Sequence, residues 1–403
     1  MADERRYYGL DALRGGMMTL GIVLHGAMFY LASLPPAMPG FVDRNNSAVF
    51  DVVLAFIHSF RMPTFFIVAG FFTALLVRRR GVAATYKDRA RRVLAPLVAG
   101  FFTIMPLTLL FMVDFQLAAG YGSYRLWPDL HLLQTFDRDM RAMGAPQGQI
   151  PLLHLWFLYY LCYFYLLIPV CRFLVGVSLK YEAPVERALE SPLTLVLLAL
   201  HTAATLWPYH GGQVYEGFIF LKPHLPSLVY YGSFFVFGYF LYHYRGFLQT
   251  LARRVPFSAV LAGLLFPLAM WASSLDNAAR GASLELHLAA VLANGACTWA
   301  LACLFIGSAQ RWFDRESPWI QYVSQSSYWV FLVHMPLVAL AGWWLVQFDF
   351  PSPLKFLLVC GFTAIVAFLT FHYWVQRTWL SDFLHGRRFD LAWPWRQRGL
   401  TDI

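Results

Sequence analysis

Long apolar runs alternate with short polar segments along the whole chain. A helix that crosses a bilayer needs about 20 mostly apolar residues. Ten stretches meet that requirement: Leu13 to Leu34, Ala48 to Val77, Val93 to Val113, Leu152 to Leu174, Pro192 to Pro208, Pro226 to Tyr244, Pro256 to Ser274, Leu286 to Ser308, Trp319 to Val346 and Leu354 to Val375. The pattern predicts an all-α polytopic membrane protein with about ten transmembrane helices. The longest polar connections, 114–151 and 209–225, are too short for a second domain. One membrane-embedded domain over 1–403 is expected, with 378–403 as a cytoplasmic tail.

Charge gives the pattern a direction. If the N-terminus starts inside, the segments on that side hold 22 of the 31 Lys and Arg residues, among them "RRRGVAATYKDRARR" and "HGRRFDLAWPWRQRGL". The opposite side holds seven, and Arg14 and Arg61 fall within spans. The positive-inside rule then sets both termini in the cytoplasm.

Composition agrees with a membrane protein: 59% of residues are hydrophobic and 13% charged, and mean hydropathy is positive. The net charge of +9 follows from this topology and calls for no nucleic acid. The first apolar run is long and lacks a small-residue cleavage site, so it is read as a span and not as a signal peptide. The five cysteines lie in or beside apolar runs without CxxC spacing. They read as packing residues, with no disulfide framework and no metal site.

The informative residues are those a bilayer should exclude, because a charge at mid-depth costs roughly 2.5 to 3.5 kcal/mol on insertion scales. Eleven positions separate Arg14 from His25 in "LRGGMMTLGIVLH". That is about three turns, within roughly 20° of one helix face and about 16 Å apart in depth. In the second span, "FIHSFRMPTFFIVAGFF", His58 comes about 15 Å deep and Arg61 one turn nearer the cytoplasm. His334 in "FLVHMPL" falls near mid-depth, and His154 in "LLHLWFL" sits at the outer boundary. Such a set suggests a polar cavity crossing the bilayer. Plainer readings compete: His201, His287 and His372 read as helix-to-helix hydrogen-bonding residues, Arg14 alone would snorkel to the interface, and "YKDRARR" alone is an orientation signal. The aromatics in "YGSYRLWPDLHLL" and "LWPYHGGQVYEGF" serve as interfacial anchors or as platforms for sugar rings.

These segments resemble motifs of the membrane acyltransferase-3 family. "LDALRGGMMTLGIVLH" is similar to its Arg-x10-His signature, "FRMPTFFIVAGFF" to its second-helix motif and "RARR" to its Arg-x-x-Arg motif, while "HLWFL" and "FLVHMPL" resemble later parts of the pattern. The fuller forms resemble one branch, which succinylates osmoregulated periplasmic glucans. Ala69 stands where the family commonly has serine, so no hydroxyl role transfers there. The resemblance implies a ten-helix enzyme of the bacterial inner membrane that moves an acyl group from cytoplasmic acyl-CoA to a periplasmic or cell-envelope glycan, without a metal. Succinyl-CoA is the expected donor, with acetyl-CoA the other candidate. Homo-oligomers or glucan-synthesis partners remain open. His25 is implied as the base. By the same resemblance Arg14, Arg89 and Arg92 serve the CoA end. In the leading reading of the residues themselves, His58 and Arg61 position the thioester, polarise its carbonyl or hold an acidic acyl tail, and His154, Trp156 and His334 are the acceptor-side candidates. The competing readings are O-acetylation of lipopolysaccharide or exopolysaccharide, a transporter or flippase for an anionic solute, and a noncatalytic scaffold.

Overall fold

The computed structural model describes residues 6–33, 42–126, 152–214, 221–279 and 282–394, with a few positions between 130 and 138. Among these residues the chain is helical, with no strand. The helices are α1 (Tyr8–Ala27), α2 (Ala48–Arg80), α3 (Val82–Arg89), α4 (Ala95–Phe102), α5 (Ile104–Tyr121), α6 (Trp156–Tyr165), α7 (Ile168–Ser178), α8 (Glu182–Glu190), α9 (Pro192–Leu206), α10 (Leu225–His243), α11 (Phe247–Arg253), α12 (Val255–Ala278), α13 (Leu284–Trp312), α14 (Pro318–Leu345), α15 (Ser352–Thr370) and α16 (Trp379–His385). Among the described residues, eight helices are long and apolar enough to cross a membrane, nine if the bent pair around Leu166 is one span. The 15-residue α9 is a shorter apolar helix. The protein is therefore an all-helical polytopic membrane protein.

Proline explains where the expected spans break. Pro106 has no N–H for the carbonyl four residues back, at Phe102, and there the third expected span divides into α4 and α5. Pro169 likewise leaves the Tyr165 carbonyl unmatched, and the fourth span bends by 56° between Tyr165 and Ile168. One boundary needs correction. The outward loop expected from Asp114 begins later, because α5 continues to Tyr121 with Asp114 fully buried and ends at Gly122 in the left-handed conformation. The apolar residues after Asp114 carry the helix past a charge that had been read as its end.

Helix α1 is central and packs against α2, α13, α14 and α15; α14 in turn packs on α5 and α15. The outer faces of α12 and α15 show Phe257, Leu264, Trp271, Leu357 and Ile365, as lipid contact requires. α2 and α10 form one of the closest crossings. A β-carbon on Gly70 would lie 2.0 Å from the Phe235 carbonyl oxygen, and one on Gly238 would lie 1.9 Å from that of Ile67. Glycine thus lets two backbones touch and brings van der Waals packing to its closest range. On the other side of α1, the buried Lys355–Asp43 ion pair (2.6 Å) ties the connection between α1 and α2 to α15.

This crossing predicts a contrast. Gly238→Val should push α10 off α2 and lower thermal stability in detergent by an amount typical of severe overpacking, about 1–3 kcal/mol or more. Gly263→Ala, with nothing within 4 Å of the added carbon, should leave the melting temperature near wild type. Equal melting temperatures for both variants would remove the crossing as a determinant of the fold.

Candidate active site

Three histidines and one arginine meet where α1, α2 and α14 approach the turn that precedes α6. The rings of His25 and His334 are 5.1 Å apart between centroids, and those of His334 and His154 are 5.3 Å apart. Arg61, His154 and His334 are buried, while His25 is half-buried.

Local backbone features create this group. Gly21, one turn before His25, has no side chain, and a β-carbon there would stand 2.6 Å from Arg61 Nη2 and 3.2 Å from His334 Nε2. The gap lets the Arg61 guanidinium lie against α1 and donate from Nε to the Met17 carbonyl at 2.8 Å. Pro336 has no N–H for the Leu332 carbonyl, which instead accepts His154 Nε2–H at 3.0 Å. His154 itself is presented by the turn Leu153–Leu155, whose first residue takes φ +45°, uncommon for a residue with a β-carbon.

These bonds settle which nitrogens carry protons. A carbonyl can only accept, so His334 donates from Nδ1 to Phe331 O at 2.7 Å, and in the neutral ring its Nε2 is a lone pair facing Gly21. His154 is likewise left with a lone pair on Nδ1. His334 Nε2, His154 Nδ1 and His25 Nδ1 are buried with no hydrogen-bond partner among the described residues. The group therefore offers proton acceptors beside a guanidinium, which suits proton transfer and stabilisation of negative charge.

His58 points elsewhere. Its Nε2 bonds the Val214 carbonyl, and its ring lines a small cavity of about 20 Å³ with Gln213, Asn294 and Thr298. The loop that supplies Val214 is anchored through Gly211, whose N–H donates to Asp276 (2.8 Å) and whose carbonyl accepts from Ser273 (2.7 Å). His287 completes this network, joining Asp276 to the Trp207 carbonyl, which is the helix-bridging role expected of it. Trp156 packs among Phe66, Tyr160 and Tyr231.

Toward the start of α1, a cavity of about 370 Å³ is lined by α1, α2, α14 and the turn after α16. Four guanidinium groups, Arg6, Arg14, Arg79 and Arg387, face it with the one carboxylate of Asp11. Arg14 pairs with Asp11 (3.1 Å), donates to Ser324 (2.9 Å) and covers the Phe72 ring. Arg89 and Arg92 do not line this cavity. Both hold Asp88, at 3.6 and 3.2 Å, and Arg89 lies over Tyr165. The structure thus joins His25, Arg61, His154 and His334 in one group, puts Arg14 at a separate cationic cavity, and gives His58 and Trp156 other surroundings.

Sequence reasoning passed over Gly21, Pro336, Asp11, Arg79, Ser324 and Arg387. The glycine one turn before His25 and the proline two residues after His334 were visible signals; the others needed the packing of α2, α14 and the tail against α1.

The match to a family model places this all-helical membrane protein among the membrane acyltransferases. The chain belongs to the acyltransferase-3 family, whose acyltransferase domain matches residues 7–372. It is similar to Glucans biosynthesis protein C of Escherichia coli O1:K1, at 25% identity over 385 residues that cover 90% of this chain and 89% of that protein. The protein of the same name from Escherichia coli strain K12 is 24% identical over 382 residues, with the same coverage. No solved structure matches the chain.

Beyond the family match, α16 carries His385, which sits against Tyr328 and Phe389. Burial, then the Arg14 guanidinium, with Arg387 and Arg92 adding, push this imidazole down to about 4. A docked His385 stays neutral while a released one protonates near its ordinary value of 6.5, so docking weakens as pH falls from 6.5 toward 4. Protection of residues 379–394 from hydrogen exchange should be steady above pH 7 and decline across that window. His385→Phe should flatten the decline, and an unchanged profile in that variant would shift the cause to other groups.

Proposed function

We propose that this membrane acyltransferase transfers an acyl group from cytoplasmic acyl-CoA to a hydroxyl of a periplasmic glucan, with succinyl as the acyl group. The glucan acceptor is suggested by the name of its relatives, and succinyl by the branch whose motifs it resembles. Both termini face the cytoplasm, as the distribution of Lys and Arg favours, and 378–403 lies on that side of a single membrane-embedded domain in the bacterial inner membrane.

One observation carries the reading: α1 presents Arg14 at the cationic cavity and, about 16 Å further along the same face, His25 beside Arg61 and His334. CoA has the matching shape, an anionic head joined to a long thin arm that ends in the thioester. Guanidinium groups suit the phosphates because they give charge-assisted, often bidentate hydrogen bonds. In this scheme Arg14 binds the head from within the cavity, and Arg89 and Arg92 contribute positive charge nearby. The acceptor hydroxyl, approaching past His154, loses its proton to His25 as its oxygen attacks the thioester carbonyl. The C–O bond forms and the C–S bond breaks. The proton held by His25 passes to the departing thiolate, so the products are the ester and CoA thiol. Arg61 stabilises the developing oxyanion, and His334 supports the imidazolium of His25 through its neutral Nε2.

General-base assistance is worth typically 10² to 10⁴-fold. His25→Gln keeps a polar side chain without a base, so purified protein should release CoA thiol from succinyl-CoA and a glucan acceptor at least about 10²-fold more slowly. CoA binding and abundance in the membrane should be normal. Near wild-type turnover in His25→Gln would remove His25 as the base. Mass spectrometry of envelope glycans from cells with and without the protein identifies the acceptor; acetyl groups lost from lipopolysaccharide or exopolysaccharide, with glucan unchanged, would replace the succinyl–glucan assignment.

Topology is tested separately. A reporter fused after Ile403 should report the cytoplasm, and one inserted after Gly122 the opposite compartment. Reversed signals would invert the proposed direction of transfer.

A further inference from the structure

The cationic cavity has a wall outside the residues that match the family. The match ends at 372, yet Arg387 lines the cavity beside Arg14, Arg79, Ser324 and Gln325. Arg387 comes from a segment that is firmly docked. α16 starts at the Thr378 cap, which accepts from the Leu380 N–H at 3.3 Å. It ends at Gly386, in the left-handed conformation at φ +70° with its N–H on the Asp382 carbonyl. The Ser381 hydroxyl donates to the Arg387 carbonyl at 2.9 Å, Phe389 N–H reaches the Gln376 carbonyl at 2.7 Å, and Trp393 stacks on His372 with ring centroids 4.0 Å apart.

The turn also connects the cavity to the "RARR" stretch. A β-carbon on Gly386 would lie 2.2 Å from Arg92 Nη2. Gly386 takes the left-handed turn without strain and its missing side chain leaves room for the Arg92 guanidinium as it lies, so Arg92 and Gly386 set where Arg387 emerges. Arg387 itself stacks over Phe389 at 4.9 Å, and no carboxylate pairs with it among the described residues. Its neighbour Arg388 is different, paired with Asp382 at 2.7 Å and absent from the cavity lining. Asp11 is shared between Arg6 (3.3 Å) and Arg14 (3.1 Å). Among the described residues, Asp11 is the one carboxylate that lines the cavity beside four arginines, and no carboxylate pairs with Arg387.

The geometry points to Arg387 as a binding residue for the anionic head of the acyl donor, delivered to the cavity by a docked C-terminal segment that belongs to the donor site. This assignment rests on the donor reading of the cavity given above. The ligand chemistry is that of a phosphorylated nucleotide, because planar guanidinium groups converging from α1, α2 and the segment after α16 match several phosphate oxygens at once. Arg92 acts as a positioning residue, holding the turn through Gly386.

Calorimetry with CoA on the full chain in nanodiscs tests the assignment, using Arg387→Ala, Arg388→Ala and Arg14→Ala, with hydrogen exchange over residues 379–394 measured in parallel. Arg387→Ala should weaken CoA about tenfold, the scale of one lost charge-assisted bond, with the segment still protected and Arg388→Ala binding as wild type. Wild-type affinity in Arg387→Ala alongside a loss in Arg14→Ala overturns the role of Arg387 and leaves the donor cavity standing. Wild-type affinity in both variants removes the donor cavity and this inference together. Affinity lost together with protection makes Arg387 a docking residue and overturns its contact with ligand. An equal loss in Arg388→Ala reduces the effect to general charge on the tail, and also overturns it.

Discussion

Much of the structure depends on how a guanidinium group is kept inside a bundle of apolar helices. Arg61 is buried, so it needs a buried acceptor, and the missing side chain of Gly21 leaves room for it to reach the Met17 carbonyl. That contact fixes α2 against α1 at the depth of the histidine group. The same rule governs the neighbours. Buried polar groups in a low-dielectric interior must be hydrogen-bonded, and the Leu332 carbonyl released by Pro336 serves His154 while the Phe331 carbonyl serves His334. Each bond uses one ring nitrogen and leaves the other as an acceptor, so the requirement for burial also sets the chemistry.

The arrangement divides labour along α1. Its first turns belong to a cavity rich in guanidinium groups, and its last turn to a cluster of neutral imidazoles around one cation. An amphiphilic donor with a charged head and a reactive far end would span those two regions. Glycines set the close approaches that position them: Gly70 and Gly238 bring the backbones of α2 and α10 together, and Gly386 leaves room for the Arg92 side chain against the tail. Small residues at these crossings convert van der Waals packing into precise helix placement where lipid offers no hydrophobic driving force between helices.

Apolar periodicity determined the fold class, because about 20 apolar residues in a row have few other uses in a protein. Chain chemistry also singled out Arg14, His25, Arg61, His154 and His334, since ionisable groups inside apolar runs are conspicuous, and the motifs around them carried the family. The breaks at Phe102 and Leu166 were written in Pro106 and Pro169, although a hydropathy pattern alone runs through them. Asp114 misled for the opposite reason: a single charge ends an apolar run in the sequence but not a helix whose following residues are buried.

Other features were decided only by tertiary structure. His58 and Arg61 are one turn apart on α2, yet one serves the Val214 carbonyl and the other the Met17 carbonyl. Spacing along a helix gives a direction, whereas the choice of partner depends on which neighbouring backbone has a free carbonyl within reach. The cationic cavity is likewise made by residues more than 300 positions apart, with Arg14 facing Ser324 and Arg387. A sequence records that these residues are charged or polar. Only the packing of α14 and the docked tail on α1 decides that they share one space, because charge assembly at that distance is set by helix contacts that carry no signal in local pattern.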